Sequence, residues 1–284
     1  MSKRIIIFFE PWLAHQDISR WAIFHLSKFW QSDGLEVKFV YGPNETIQGD
    51  LAILHVDLSV VPQTYVQVAK QFPIALNTKI LDIRKHVHSK LLVKPGDGYT
   101  GPVIVKSDQN YAGIPERKSW SRLRRLFSRY HLLSSYPFPL RKKQDYKIFS
   151  RRQDVPSPYF QHPNLVVEKF LPERDGDRYC IRNCYVLGDR ILCDRVTSSC
   201  PIIDDSTAEE FGTVAVPPGV SKLCEAMKLD YGKLDLTIHQ GELVVFDINK
   251  TVGASRSHNP KLEQNRRYTA SGLYAFLNGS RTPY

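Results

Sequence analysis

Two aspartates and an asparagine near the carboxyl end, Asp235, Asp247 and Asn249, have a spacing from which chemistry can be argued. They lie in LDLTIHQGELVVFDINKTVG, residues 234–253, whose period-two alternation predicts a β-hairpin. With Gly241 at the middle of a three-residue turn, Asp235 faces Asp247 and Thr237 faces Val245. The other face then carries Leu234, Leu236 and Ile238 against Val244, Phe246 and Ile248, and must be core. Asn249, two residues beyond Asp247, shares the polar face. Directly opposed side chains have Cβ atoms roughly 5 Å apart, and like charges there repel. Two carboxylates and an amide oxygen converging this way suit a hard divalent cation, Mg²⁺ or Mn²⁺. On pattern alone the same residues also fit a solvated hairpin face.

Three more stretches carry groups that act on phosphates or carboxylates. PVIVK, residues 102–106, is a strand ending in Lys106, followed by the small-residue loop SDQNYAG. A lysine point charge beside a loop with free backbone N–H groups suits a phosphate, although a lone strand-end lysine often only snorkels. NLVVEKFL, residues 164–171, reads as a strand closed by Pro172. After the acidic ERDGD turn comes a second hairpin, RYCIRNCYVLGDRILCDRVTS, with Gly188-Asp189 as a type II′ turn. That register sets Cys184 opposite Cys193 and Arg182 opposite Arg195. Two facing arginines need an anion between them, and arginine binds phosphate or carboxylate in bidentate fashion.

The remaining sequence must position these groups. RIIIFF (4–9) reads as a buried strand. A helix capped near Asp17 follows, with Ile18, Trp21, Ala22, His25, Leu26, Phe29 and Trp30 on one stripe, and Gly34 ends it. Strands are predicted at 36–41, 50–56 and 73–76, with a helix at 64–71, an alternation that implies a parallel α/β sheet. No GxGxxG follows the first strand, so a dinucleotide fingerprint is absent. From Asn77 the pattern changes to a basic helix over 78–90 and then the turn-rich KPGDGYTG. Trp120, Leu123, Leu126, Phe127, Tyr130 and Leu133 recur at helical spacing. Residues 135–158 are irregular and proline-bearing, and read as an insertion or lid. Residues 205–212 read as a loop or short helix, Pro217-Pro218-Gly219 introduces a helix, and YTASGLYAFL closes the chain as another.

Composition sets the class. The chain has 284 residues, 42% hydrophobic and 24% charged, as for an ordinary globular protein with a real core. No apolar run approaches the ~20 residues of a membrane span. IIIFF is too short for a signal peptide, so a cytoplasmic protein without a membrane partner is expected. Five cysteines without a CxxC predict reduced, mostly buried thiols. The net charge is +10, and residues 116–154 hold twelve Lys or Arg against three acids. This basic 117–152 segment suits an acidic partner such as nucleotide phosphate, an acidic peptide or nucleic acid, or is a solvated face.

Taken in order, VIVK-SDQNYAG, VVEKFLPE, RYCIRNCYVLGDRI and LDL…FDINKTVG resemble the ATP-grasp superfamily. The resemblance covers nearly the whole chain. It implies an α/β class: a pre-grasp parallel α/β domain over 1–77 and a two-lobed ATP-grasp domain over 78–284. The small lobe, 78–170, would carry the basic insertion, and the large lobe, 171–284, the metal site. Lys106 matches the family lysine on the ATP phosphates. Glu168, Lys169, Phe170 and Leu171 match the adenine hinge, and Glu173, Asp175 or Asp177 the acid on the ribose. Asp235, Asp247 and Asn249 match the Mg²⁺ ligands. Arg182 and Arg195 look like the arginines near the γ-phosphate and acyl-phosphate, and Ser255 and Arg256 would hold the acceptor. A first family lysine is open among Lys79, Lys85, Lys90 and Lys94. Two departures stand out: Gly113 is the single glycine of the loop after Lys106, and Asp247 replaces the commoner Glu.

The implied activity is an ATP-dependent carboxylate–amine ligase working through an acyl-phosphate, with ATP and Mg²⁺ as cofactors and a small molecule or peptide as acid and amine. A second copy of the chain is admitted as a partner. The rivals are a non-catalytic ATP- or nucleic-acid-binding protein on the same scaffold, and an ATP-grasp kinase.

Overall fold

In the computed structural model, the described residues are 2–119, 140, 142–255 and 259–284. The helical stripe from Trp120 to Leu133 lies outside them, as does Arg256. The chain opens on β1 (Arg4–Phe9), α1 (Ala22–Ser32), β2 (Glu36–Tyr41), β3 (Leu51–Leu54), α2 (Gln63–Ala69) and β4 (Ile74–Leu76). The four strands form one parallel sheet in the order β2-β1-β3-β4. A central parallel strand must bury both faces. Accordingly, Ile5, Ile7 and Phe9 enter one core cluster and Ile6 and Phe8 another. α1 starts later than the sequence suggests: Asp17 caps a single 3₁₀ turn, accepting from Ser19 N at 2.9 Å, and Trp21 is extended before Ala22.

Beyond the sheet come α3 (Lys85–His88), β5 (Val103–Ser107), α4 (Ile114–Ser119), β6 (Lys147–Phe149), α5 (Ser157–Gln161) and β7 (Leu165–Lys169). The basic helix expected over 78–90 is thus a single turn. Asp82 and its neighbours instead run extended, bridging to Val60 and pairing with Arg84. β6 is a strand within the stretch expected to be irregular. Three residues give no readable period, and it exists by pairing antiparallel to β5, which also pairs β7. Val103, Val105, Val167 and Tyr159 form the core beneath this small sheet.

The large sheet follows: β8 (Glu173–Asp175), β9 (Arg178–Leu187), β10 (Arg190–Ser198), β11 (Glu210–Val214), α6 (Val220–Met227), β12 (Tyr231–His239) and β13 (Glu242–Asn249). Its order is β11-β10-β9-β12-β13, with β8 also paired to β9. β8 takes the first three residues of the expected ERDGD turn, leaving Gly176-Asp177 as the turn, and β11 stands in place of the expected loop or helix. Both are short strands whose pairing is set by β9 and β10 and not by local pattern. α6 covers one face, with Cys184, Cys193, Leu234, Leu236 and Ile248 beneath it. All five cysteines are free, and all but Cys200 are buried. The chain ends in α7 (Pro260–Ser271) and α8 (Leu273–Leu277), two helices where the sequence suggested one. They return to the first sheet, placing Ala270, Leu273 and Phe276 in the core with Ile5, Ile7 and Phe9.

Candidate active site

The β12–β13 hairpin sets Asp235 opposite Asp247 and Lys233 opposite Asn249, as the alternation predicts. The turn is different. Gln240 and Gly241, at φ 51° and 84°, form a two-residue turn with both centres left-handed, the type I′ pattern. One residue is therefore left over, and it is absorbed by a bulge between Asp235 and Leu236. Thr237 consequently faces Val244, not Val245. Val245 and Leu243 join the core. Val244 and Phe246, expected in that core, line a cleft instead. A one-residue slip exchanges the faces of a strand, and here it supplies the apolar floor beside Asp247.

A polar row that the sequence did not disclose crosses the same face. Thr213 on β11 opposes Asp194 on β10, which opposes Asn183 on β9, which opposes Asp235 on β12, which opposes Asp247 on β13. Asn183 Oδ1 and Asp194 Oδ1 are buried without a hydrogen-bond partner. Burial pushes the Asp194 carboxyl up, and Thr213 partly offsets it. Each residue looked ordinary within its own strand, because the row exists only across strands.

Of the four lysines left open, Lys85 lines the cleft. Lys85, at the start of α3, is buried and lies 3.2 Å from Asp247 Oδ1. Burial would discharge it, but Asp247, Tyr146 and Glu168 hold its pKa above the ordinary value. Asp247 is held below the carboxylate range: Lys85, Lys143 and Lys106 outweigh its burial. Lys106 is buried, ion-paired with the fully buried Glu168, and donates to the Phe246 carbonyl at 3.1 Å. Lys233, unremarked in the sequence, sits 2.8 Å from Asp235 Oδ1. Each facing aspartate thus has its own lysine, which offsets their mutual repulsion.

These groups close one end of a cleft of about 790 Å³, counted to its open mouth, between the β5–β7 sheet and the β9–β12–β13 face. Lys85, Lys106, Lys143, Glu168 and Asp247 line the charged end. Lys169, Phe170 and Leu171, with Ile104 and Ile202, line an apolar slot. The Lys169 and Phe170 N–H groups are held by the Leu91 and Pro102 carbonyls, at 2.8 Å each. The apolar lining with a few convergent polar groups is that of a small-ligand site.

Other expected residues stand elsewhere. Arg182 and Arg195 do oppose each other. Arg182 pairs with Leu236, one residue out of phase with Asp235, so both arginines lie on the face away from the cleft. The anion between them is Glu173, which accepts from Arg182 Nε at 3.0 Å and Nη2 at 2.7 Å, and from Ile238 N at 2.8 Å. Glu173 is buried and its oxygens are occupied by these contacts. Asp175 pairs with Arg195 at 2.6 Å, and exposed Asp177 does not line the cleft. The Ser255 carbonyl accepts from Arg266 Nη2 at 2.8 Å.

Asp235, Asp247 and Asn249 share one face, oxygen donors of the kind a hard divalent cation takes. Among the described residues no group of three or more His, Cys, Asp or Glu is placed to hold a metal. Among them, too, no helix is long and apolar enough to cross a membrane.

No family model matches the sequence, and none of the curated proteins does. Solved structures do match in fold. One is the macrocyclase MdnC of Microcystis aeruginosa MRC, bound with precursor peptide MdnA, at TM-score 0.51 and 11% identity over 95% of this chain and 99% of that one. Another is a RiPP-associated ATP-grasp ligase of Chryseobacterium gregarium, at TM-score 0.51 and 10% identity over 100% and 98%. This chain has the ATP-grasp fold. A RimK-domain ATP-grasp protein of Sphaerobacter thermophilus agrees at TM-score 0.50 and 10% identity over 95% and 99%. In this chain the cleft lies between the two antiparallel sheets, with Asp247 at its charged end and Asp235 facing Asp247 across the hairpin.

Proposed function

We propose that the chain is an ATP-dependent carboxylate–amine ligase with the nucleotide in this cleft. The observation that carries the reading is the convergence of Lys85, Lys106 and Lys143 on Asp247 at the charged end of an otherwise apolar slot. The slot from Ile104 to Phe170 and Leu171 takes the base. Lys85, Lys106 and Lys143 take the phosphates, and Lys233 orients Asp235. Asp235, Asp247 and Asn249 would hold Mg²⁺, which when bound neutralises phosphate charge. A substrate carboxylate oxygen attacks the γ-phosphorus and ADP leaves, giving an acyl-phosphate. The amine then attacks the acyl carbon, losing a proton, and phosphate leaves. No side chain of the protein is a nucleophile in either step. Arg182 and Arg195, on the far face, lock β8 to β9 through Glu173.

MdnC was solved with a precursor peptide and the Chryseobacterium ligase with a leader and core peptide, so peptides belong in the substrate screen. The test is ADP and phosphate release by purified protein with ATP, Mg²⁺ and pools of peptides, acids and amines. Release that requires both an acid and an amine supports the ligase. A stable phosphorylated product makes it a kinase, and ATP binding without turnover makes it a non-catalytic scaffold.

A further inference from the structure

The charged end of the cleft carries a hydroxyl that no step of the proposed reaction uses. Tyr146 lines the cleft with Lys85, Lys106, Lys143, Glu168 and Asp247. It stands immediately before β6, where Val105 pairs with Lys147 and Ile104 with Ile148. One step further in that register sets Tyr146 across from Lys106. Tyr146 thus joins the face that Ile104 and Lys106 turn to the cleft. The turn before it holds this position. Lys142 N donates to Asp145 Oδ2 at 3.1 Å, and Tyr146 N to the Lys143 carbonyl at 3.0 Å. From the same turn Gln144 reaches the connection between β10 and β11, donating to Asp204 and, at 3.4 Å, to Ser206 Oγ. That connection lines the cleft with Pro201, Ile202 and Ile203, so the turn is fastened to both walls.

Within the charged end, Tyr146 keeps to one side. The charges that bear most on its phenol are Lys85 and then Asp247, ahead of Glu168. Lys85 and Asp247 are 3.2 Å apart, whereas Glu168 pairs with Lys106 and adjoins Lys169 of the apolar slot. Tyr146 therefore belongs to the Lys85–Asp247 side, away from the slot. Burial pushes its phenol up to about 12, so at neutral pH the hydroxyl keeps its proton and donates. Its ring packs against the core of the small sheet with Val103 and Val105. A donor held by packing and by a fastened turn, beside two lysines, is preorganised for an anionic oxygen.

Resting on the reading of this cleft as the ATP site, we infer that the Tyr146 hydroxyl donates a hydrogen bond to the terminal phosphate of the nucleotide. With the base in the slot, the inner phosphates fall to Lys106 and the last one to Lys85 and Tyr146. Charge spreads over the oxygens of that group during transfer. A fixed neutral donor there steadies it without adding a positive charge to the three lysines already present. ADP lacks the terminal phosphate and does not engage the hydroxyl.

The test is titration calorimetry of the full chain with Mg²⁺, comparing ADP with the non-hydrolysable ATP analogue adenylyl imidodiphosphate. Tyr146→Phe keeps the ring, and with it the packing, and removes only the hydroxyl. The variant binds the analogue on the order of 10-fold more weakly, as loss of one hydrogen bond to a charged group does, while its ADP affinity stays within about twofold of native. Unchanged affinity for the analogue overturns the inference and leaves Tyr146 a packing residue. An equal loss for both nucleotides overturns it as well, because the hydroxyl then acts on a group that ADP also carries. The native chain is titrated alongside. If it binds both nucleotides and the variant does not discriminate between them, only this inference falls. If it binds neither, the ATP reading of the cleft falls, and this inference with it.

Discussion

At 3.2 Å from Asp247, the Lys85 ammonium keeps its charge in a place where burial alone would remove it. Lys85→Met therefore leaves Asp247 paired less closely and removes the proposed phosphate contact. Turnover should fall on the order of 100-fold, the usual loss for one preorganised electrostatic contact, as steady-state phosphate release would show. Arg182→Met should behave in the opposite way. It strands buried Glu173, so it should cost about 3 kcal/mol in urea unfolding while leaving the KM for ATP unchanged. Equal damage to KM would return Arg182 to the cleft. Glu10 gives a pH signature. Its folded value, about 8, exceeds the unfolded 4.5, so the folded state holds the extra proton between them. Stability should fall as pH rises through that window, by at most about 1.4 kcal/mol per unit for one proton. Asp57, raised by burial to about 7, adds to the same slope. Denaturant melts of Glu10→Gln across this range should show a flatter profile. At this scale the sequence was partly legible. Asp235 and Asp247 announced themselves because alternation is intact up to the bulge. Lys85 did not, because nothing in a string of four basic positions tells which one a tertiary contact selects. Asn183 and Asp194 gain meaning only as neighbours across strands.

Among the elements, long strands with clear alternation were read well: β1, β2, β9, β10 and β12 have nearly their expected bounds. The two-residue turn at Gln240-Gly241 was not, because glutamine seldom takes φ > 0 and the sequence offers no Asn-Gly signal there. Gln240→Asn should accordingly stabilise the hairpin by roughly 0.5 kcal/mol, measured by thermal unfolding; a loss would argue against the I′ turn. Asn77 is another such position. At φ 63° its amide joins the end of β4 to the start of β12, donating to the Tyr231 carbonyl at 2.8 Å and accepting from Asp230 N and Tyr231 N. The sequence showed a change of pattern at this residue and not its role as a clasp. β6, β8 and β11 were missed for one reason: three to five residues carry little period, and their pairing partners decide them.

For the whole molecule, the return of α7 and α8 to the first sheet makes the chain's two ends share one core. Trp30 Nε1 donates to the Ala270 carbonyl at 2.9 Å across that junction. The carboxyl ends of β1 and β3, the β12–β13 hairpin and the cleft are thereby held in one frame. The α/β class was legible from strand–helix alternation and the ATP-grasp order of motifs. The sealing of the first sheet by the last helices was not, because a closing amphipathic helix does not name its partner. Binding of Mg·ATP at the facing aspartates should be visible as ligand-induced stabilisation. At ATP a hundredfold above its Kd with Mg²⁺, unfolding free energy should rise by about 2.7 kcal/mol. The gain should need Mg²⁺ and should vanish in Asp247→Asn, while the variant's own melt stays cooperative. An ATP-induced gain that is the same in Asp247→Asn, or no gain in the native chain, would rule out Mg·ATP binding there.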